Sequence, residues 1–268
     1  MQITKLYTYA LKSSTGLERD TVSFQRSGFI HDRSVAIINA QNKIITGREE
    51  PKLLTILSEI NDQKLHLTVN SLGRYSFPLP NKDNSPIQIK LFRDSVSGQL
   101  FQEEANELIS KLLKGSYSLI YIGNAYRPLL DKRGGKMGEI TGYADSSPIH
   151  LINTKTLNYL NERCSNKFSD QNFRPNIVID GVKPFEEDSW SLISINGFHF
   201  RLQERTQRCI FTTIDPETQN RDREQEPLRT IAKIRRAIGL RPTFGVNLVP
   251  LTAGSIGIGS KLEVVKKQ

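Results

Sequence analysis

Residues 173–181 read FRPNIVIDG, and this stretch sets a pattern that recurs along the whole chain. Three apolar residues, 177–179, follow Pro175 and Asn176 and stop before an aspartate and a glycine. A short apolar run between turn-forming residues predicts a β-strand. Arg174 and Asn176 then stand where a loop enters this predicted strand.

Similar short stretches occur on both sides of residues 173–181, separated by Gly, Asn, Asp and Pro. Short strands at this spacing predict a barrel or a sandwich. The predicted strands are ITKLYTYAL (3–11), RDTVSF (19–24), RSVAIINA (33–40), KLLTILSEI (52–60), KLHLTV (64–69), IQIKLF (87–92), residues 118–122, PIHLIN (148–153), NIVIDG (176–181), SWSLISI (189–195), GFHFRLQ (197–203), TFGVNLVPL (243–251) and GSIGIGSKLEVV (254–265).

Three segments have helical rather than strand periodicity: residues 99–114, 154–164 and 227–239. The first is expected to stop at a glycine, and the second to be capped by Asn153 or Thr154. The period changes near residue 97, so we expect a β-barrel domain over 1–97 and a second domain over 98–268. The fold class that follows is α+β, strand-rich and built on β-barrels with a few helices.

The composition indicates a globular chain with an anionic partner. Its 268 residues have a net charge of +9 and a pI near 9.5, which favours nucleic acid, membrane headgroups or a phosphorylated small molecule as a partner. No apolar run approaches the roughly 20 residues of a membrane helix, and the first residues lack a secretory signal. We therefore expect a cytoplasmic protein without a membrane partner.

Thiol chemistry in this chain has to rest on a single sulfur atom. Two cysteines, Cys164 and Cys209, are too few for a four-thiolate metal site, and the four histidines are too dispersed for a local zinc motif. Cys164 is expected to be structural. Cys209 has two interpretations: a buried structural residue on a strand that begins at Arg208, or a thiolate that the neighbouring cation stabilises for nucleophilic attack or soft-metal binding.

Several polar residues stand where predicted strands meet loops. Arginine side chains can hold a phosphate through paired hydrogen bonds, and lysine adds a point charge. Each residue alone is more typical of an ordinary surface charge, whereas together they could bind a phosphorylated anion. These junction residues are Lys12, Ser13, Arg33, Asp145, Ser146, Ser147, Arg174, Asn176 and Arg208.

Several long motifs in a fixed order resemble the MOSC family, which is named for the carboxy-terminal domain of molybdenum cofactor sulfurase. The similar stretches in the second half are FRPNIVIDGVKPFEEDSW (173–190), RCIFTTIDPETQ (208–219), EPLRTIAKIRR (226–236) and FGVNL (244–248). In the first half, LYTYALKSSTG (6–16), GFIHDRSVAIIN (28–39) and IITGREEPKL (44–53) resemble the β-barrel domain that precedes MOSC. The similarity is strongest to the amidoxime-reducing members.

The resemblance implies a molybdenum cofactor, carried on a pterin, with Cys209 as the protein ligand of the metal. By the same resemblance, the cofactor-holding positions are Lys12, Ser13, Arg33, Asp145, Ser146, Ser147, Arg174, Asn176 and Arg208. The implied activity is reduction of N-hydroxylated compounds such as amidoximes and N-hydroxylated bases, with Asp145 or a water as proton source. Since no cysteine follows Cys209, we expect electrons from a separate flavin reductase, haem or iron–sulfur protein.

Two other functions remain open at this point. The chain could carry the cofactor, or a persulfide on Cys209, to another protein without turnover of its own. A nucleic-acid-binding β-barrel would suit the basic pI, but it leaves the ordered motifs unexplained. We therefore expect a small-molecule substrate and no nucleic-acid partner.

Overall fold

The computed structural model describes residues 1–69, 72–81, 85–92 and 94–268. Within these residues the strands are β1 (Gln2–Thr8), β2 (Leu17–Glu18), β3 (Thr21–Gln25), β4 (Gly28–Phe29), β5 (Val35–Asn39), β6 (Ile56–Asn61), β7 (Lys64–Val69), β8 (Gly73–Pro78), β9 (Ile87–Leu91), β10 (Asp94–Leu100), β11 (Tyr117–Tyr121), β12 (Arg127–Pro128), β13 (Ile140–Thr141), β14 (Ile149–Asn153), β15 (Ile177–Asp180), β16 (Trp190–Ile195), β17 (Phe198–Gln207), β18 (Thr243–Pro250), β19 (Gly254–Gly257) and β20 (Leu262–Lys267). The helices are α1 (Glu103–Leu113), α2 (Thr154–Asn161) and α3 (Leu228–Arg236).

The largest sheet has eight strands in the order β2-β1-β15-β14-β18-β17-β16-β20. The strand predicted at residues 176–181 is confirmed as β15, which pairs parallel with β14 and antiparallel with β1. One face of this sheet buries a core that includes Ile3, Trp190 and Phe200. The other face is covered by α2 and α3 through Leu160 and Ile231. Burial on both faces explains why β18 is apolar at nearly every position.

The first half of the chain builds smaller sheets around a separate core. Strands β6, β7 and β8 form one antiparallel sheet, and β5, β11, β10 and β9 form another. Helix α1 packs its apolar stripe into this core, where Leu67, Ala105 and Ile109 are fully buried. The predicted fold class, α+β with a strand-rich barrel architecture, is confirmed.

Strands from the two halves of the chain pair with each other. The first strand, β1, lies in the large sheet beside β15, while β19 from the far end pairs with β3. Strand β11 comes after residue 97 in the chain, yet it pairs with β5, which comes before residue 97. The domain boundary near residue 97 stays a prediction. Backbone hydrogen bonds join strands that precede this residue to strands that follow it.

The helix predicted over 99–114 begins four residues late. Gln99 and Leu100 belong to β10 and pair with Tyr121 and Ile120 of β11. Ladder hydrogen bonds with a distant strand therefore override the local helical period at these positions. The helix ends at Leu113, and its cap, Lys114, adopts a left-handed conformation just before the predicted glycine stop.

Other elements differ from prediction at their ends. Pro51–Thr55 forms a 3₁₀ turn, so the strand predicted over 52–60 begins only at Ile56. Proline suits the first turn of a helix because its missing N–H would have no partner there. The helix predicted over 154–164 ends at Asn161, but its cap at Asn153 is confirmed, since that side chain accepts a hydrogen bond from the Lys155 N–H. Strand β8 has no counterpart in the prediction because its side chains are largely exposed and polar.

None of the helices in the described part of the chain has the length and apolar character needed to cross a bilayer.

Candidate functional site

A cleft of about 430 Å³ lies where loops from both halves of the chain meet. Its volume falls within the roughly 300–1,000 Å³ range of small-molecule sites. Every residue singled out from the sequence lines it. These are Lys12, Ser13, Arg33, Asp145, Ser146, Ser147, Arg174, Asn176, Arg208 and Cys209.

Cys209 lies at the wall of this cleft with its side chain exposed. The prediction that a strand begins at Arg208 is wrong, because β17 has already ended at Gln207 and a 3₁₀ turn follows. The turn forms because Thr212 donates both its N–H and its hydroxyl to the Cys209 carbonyl, at 3.1 and 2.9 Å. The buried structural alternative for Cys209 is excluded by this exposure.

Lys12 and Asp145 form an ion pair across the cleft. The Lys12 ammonium donates to the Asp145 carboxylate and, at 2.7 Å, to the Tyr143 carbonyl. Burial alone would raise the pKa of Asp145, but the Lys12 ammonium and the nearby Arg48 guanidinium outweigh it and lower that pKa to about 2. Burial lowers the pKa of Lys12, and Asp145 partly offsets this change. Asp145 is therefore a carboxylate at neutral pH, and its side chain is half exposed to the cleft.

Arg33 and Asn176 connect the two halves of the site. The Arg33 guanidinium is paired with Asp32, donates to the Asn176 side-chain oxygen at 2.9 Å, and packs against the Tyr9 ring at 4.1 Å. The same Asn176 oxygen accepts from the backbone N–H of His150 at 3.1 Å, while its amide nitrogen donates to the Tyr7 carbonyl. Asn176 is buried, and its side-chain oxygen and nitrogen both have hydrogen-bond partners that link Arg33 to β14 and β1.

Arg174 adds a second cation beside the same aromatic ring. It has a left-handed backbone conformation, with φ of 55°, at the entry to β15. Its guanidinium donates to the Ser14 carbonyl and lies 4.4 Å from the centre of the Tyr9 ring and 5.6 Å from that of Phe211. Burial lowers the pKa of Arg174 to about 10, which leaves it cationic at neutral pH.

Arg208 is held against the floor of the cleft by His150 and Phe173. Its guanidinium donates to His150 Nε2 at 3.0 Å and to the Phe173 carbonyl at 2.8 Å. Because arginine has no acceptor, Nε2 of His150 must be unprotonated, which places the ring proton on Nδ1, 3.3 Å from the Val246 carbonyl. Burial and the adjacent Arg208 charge lower the pKa of His150 well below its usual value, so this ring is neutral.

The three serines contribute hydroxyl groups with different environments. Ser147 donates to the Leu248 carbonyl at 3.0 Å, and Ser146 accepts from the Asn247 amide at 2.8 Å. Ser13 has a left-handed φ of 69°, which turns the chain sharply after Lys12. All three border the cleft, where a hydroxyl oxygen can still accept or donate a further bond.

Sequence reasoning missed Arg48, which is the residue that contacts the cysteine. Its Nη1 lies 3.8 Å from Cys209 Sγ and 3.7 Å from an Asp145 oxygen, and the guanidinium packs 4.9 Å from the Phe92 ring. Arg48 stands within the IITGREEPKL motif, but nothing in its local spacing connects it to a position 161 residues away. His150 was missed as well, since a lone histidine in a strand is usually structural.

The donor set of the cleft fits an anionic cofactor with a soft metal. Six cations line the cleft together with one carboxylate, that of Asp145; the cations are Lys12, Arg33, Arg48, Arg133, Arg174 and Arg208. Asp32, outside this lining, pairs with Arg33. In the described part of the chain, the buried Nε–H of Arg208 has no acceptor, and a buried donor of this kind is rarely left without a partner. The exposed thiol supplies the one soft ligand, and no cluster of three or more His, Cys, Asp or Glu side chains among the described residues offers a competing metal site.

Two family models match the chain. The model described as the MOSC N-terminal beta barrel domain matches residues 1–116, and the MOSC domain model matches residues 139–263. Their two matched segments include all the predicted site residues.

Curated relatives match nearly the full length of the chain. The chain is 30% identical to mitochondrial amidoxime reducing component 2 of Macaca fascicularis, covering 96% of this chain and 81% of the relative. It is 29% identical to mitochondrial amidoxime-reducing component 1 of Mus musculus, covering 96% and 80%. Among solved structures, the YuaD protein from Bacillus subtilis aligns over 97% of this chain and 93% of its own, with a TM-score of 0.44 and 11% identity.

Proposed function

Because the chain belongs to the MOSC family, in the group whose relatives are named amidoxime-reducing components, we propose that it binds a molybdenum cofactor in the cleft and reduces N-hydroxylated compounds. One observation carries the proposal. An exposed thiol, Cys209, shares a cleft with six cationic side chains drawn from both halves of the chain. Such a combination suits a phosphorylated ligand that also brings a thiophilic metal.

In this proposal the residues divide into two groups. Cys209 provides the protein ligand to the metal. The cations Lys12, Arg33, Arg174 and Arg208 neutralise the phosphate of the pterin, while Ser13, Ser146, Ser147 and Asn176 supply or orient hydrogen bonds. Arg208 keeps its Nε–H free for such an acceptor.

The proposed reaction converts an amidoxime, two electrons and two protons into an amidine and water. The bound cofactor would supply the two-electron redox chemistry that cleavage of an N–O bond requires. The protein has to deliver the protons. Asp145, with a pKa of about 2, holds none at neutral pH, so we propose that it relays protons from the Lys12 ammonium or from a water that it orients.

The proposed electron source is a separate flavin, haem or iron–sulfur protein.

Two measurements test the function. The first is metal analysis of protein made in a host that synthesises the cofactor, and the second is benzamidoxime reduction driven by a reduced viologen dye. We expect bound molybdenum and turnover for the wild type, and loss of both for Cys209→Ser because a hydroxyl is a poor ligand for a soft metal.

The matched control is Cys164→Ser. That thiol is buried, donates to Glu226 Oε2 at 3.6 Å, and does not line the cleft. We expect the control to keep both metal and turnover. Turnover by Cys209→Ser at the wild-type rate would contradict the assignment. Bound molybdenum without turnover would instead favour a cofactor carrier.

A further inference from the structure

A second, shallow groove lies beside helix α3 and shares one residue with the cleft. Its lining contains five cationic side chains and a single carboxylate, that of Glu224. Residues 229, 233 and 236 follow the spacing of one helical face, so Arg229, Lys233 and Arg236 project on the same side of α3. Apart from Arg208, no residue of this groove belongs to the cofactor site proposed above.

Most of these cations are not explained by the fold. Arg229 pairs with Glu224 and Glu226. Three further cations are exposed and form no ion pair with any described residue: Arg223, Lys233 and Arg236. Unpaired cations that line one groove create a local positive potential, which attracts an acidic partner.

The inner wall of the groove is also a wall of the cleft. Arg208 lines both cavities, and its backbone N–H donates to the Pro242 carbonyl at 2.8 Å on the groove side. Cys209 is the next residue, only about 3.8 Å further along the chain from Cα to Cα. A protein seated in the groove would therefore stand one residue from the proposed metal ligand.

We propose that the groove beside α3 is the docking surface for the electron donor, and that this donor is a small redox protein with an acidic face around its redox group. The proposal rests on the proposed function. Transient electron-transfer complexes bury little area and rely on complementary charge for fast association. Ile238, two residues beyond the end of α3, is 63% exposed and offers an apolar contact to a partner on this helix. The groove ends at Arg208, beside the proposed metal ligand. Because electrons have to reach that metal, this position favours a redox protein over a nucleic acid.

An acidic plant-type [2Fe–2S] ferredoxin serves as the probe, with its affinity for the molybdenum-loaded protein measured on an immobilised surface. We expect the double variant Lys233→Glu/Arg236→Glu to weaken binding at low salt by at least about tenfold, since charge steering changes association by factors of about 10 to 10³. Arg223→Glu, which lies outside the helix, should act in the same direction. Wild-type binding should fall sharply near about 0.5 M salt, where exposed charges are screened.

The matched control reverses the same number of charges far from the groove. Arg74→Glu/Lys111→Glu changes one exposed arginine and one exposed lysine in the first half of the chain, and Lys111, like Lys233 and Arg236, stands in the last turn of a helix. We expect this control to bind ferredoxin as the wild type does. All variants should reduce benzamidoxime at the wild-type rate with the viologen dye, because that donor needs no docking surface.

The outcomes separate the two proposals. Absent viologen-driven turnover in the wild type refutes the proposed function, whatever the ferredoxin result. Wild-type ferredoxin binding that is absent, or that all the groove variants leave unchanged, refutes the docking surface. Loss of affinity for a duplex DNA in the groove variants, with ferredoxin binding intact, would assign the groove to nucleic acid and also refute the proposal.

Discussion

At the residue scale, the cleft depends on a few side chains whose charge is set by their surroundings. Lys12 and Asp145 hold each other in charged form, and His150 is kept neutral by burial and by Arg208. These states follow from contacts between residues that lie more than fifty positions apart. The sequence identifies the groups, whereas the fold decides their protonation.

Glu187 is a buried carboxyl outside the cleft, and it makes stability depend on pH. It accepts from Asn153 at 3.0 Å and from Thr156 at 2.9 Å, which ties α2 to the turn before β16. Burial raises its pKa from an ordinary value of 4.5 to about 7. The folded state thus holds the proton more tightly than the unfolded state, and the free energy of unfolding falls as pH rises through this window.

We predict that Glu187→Gln removes this pH dependence. Between about pH 4.5 and 7, the wild type should lose about 3 kcal/mol relative to the variant, from the shift in pKa between the two states. Urea unfolding of both proteins across that pH range is the measurement. If the free energies of unfolding of wild type and variant changed with pH in the same way, Glu187 would have the same pKa in the folded and unfolded states, and the prediction would be wrong.

At the element scale, the loop after β5 reaches the turn that carries Cys209 because Gly47 has no side chain. A β-carbon at Gly47 would overlap the Phe211 ring. This close approach lets Arg48, the next residue, lie 3.8 Å from the Cys209 sulfur. A single contact between two loops therefore closes one side of the cleft.

Gly47→Ala should displace Phe211 and open that side. We expect a loss of about 1–3 kcal/mol in stability, the usual cost of overpacking, and a lower molybdenum content after expression in a cofactor-producing host. Phe211→Leu in the same chain should recover part of the stability by making room. A double-mutant cycle with Phe211→Leu alone isolates the contact, and purely additive effects would show that Gly47 and Phe211 do not interact.

At the scale of the whole molecule, strands from the first half of the chain complete the core of the second. Strand β1 places Ile3 and Leu6 in the core of the large sheet, although the residues that follow belong to the first half. Strands β3 and β19 pair with each other and add Val22, Phe24 and Ile256 to that same core. Neither half can lose its partner without exposing a buried strand edge, so we expect the halves to unfold together.

Scanning calorimetry of the full chain should therefore give one transition. Leu67→Ala in the first core and Ile193→Ala in the second should each lower the midpoint of that same transition, since such truncations cost about 2–5 kcal/mol. The fragment 98–268 should fail to fold because it lacks β1 and β3. Two transitions, each moved by only one of the variants, would instead show that the halves are independent.

The sequence by itself determined the strand-rich class, most of the strands, the cap at Asn153 and the residue types of the cleft. These follow from short-range rules: hydrophobic period, turn residues and side-chain chemistry act over a few positions. The motif order also pointed to Cys209 as the important thiol.

Only the tertiary structure decided where those residues meet. The contact between Arg48 and Cys209, the neutral state of His150 and the late start of α1 all depend on partners far away in the chain. The turn after β17 replaced a predicted strand because two threonine hydroxyls bond to nearby carbonyls once the strand has ended. Long-range pairing, burial and desolvation act between segments, so no local pattern encodes them.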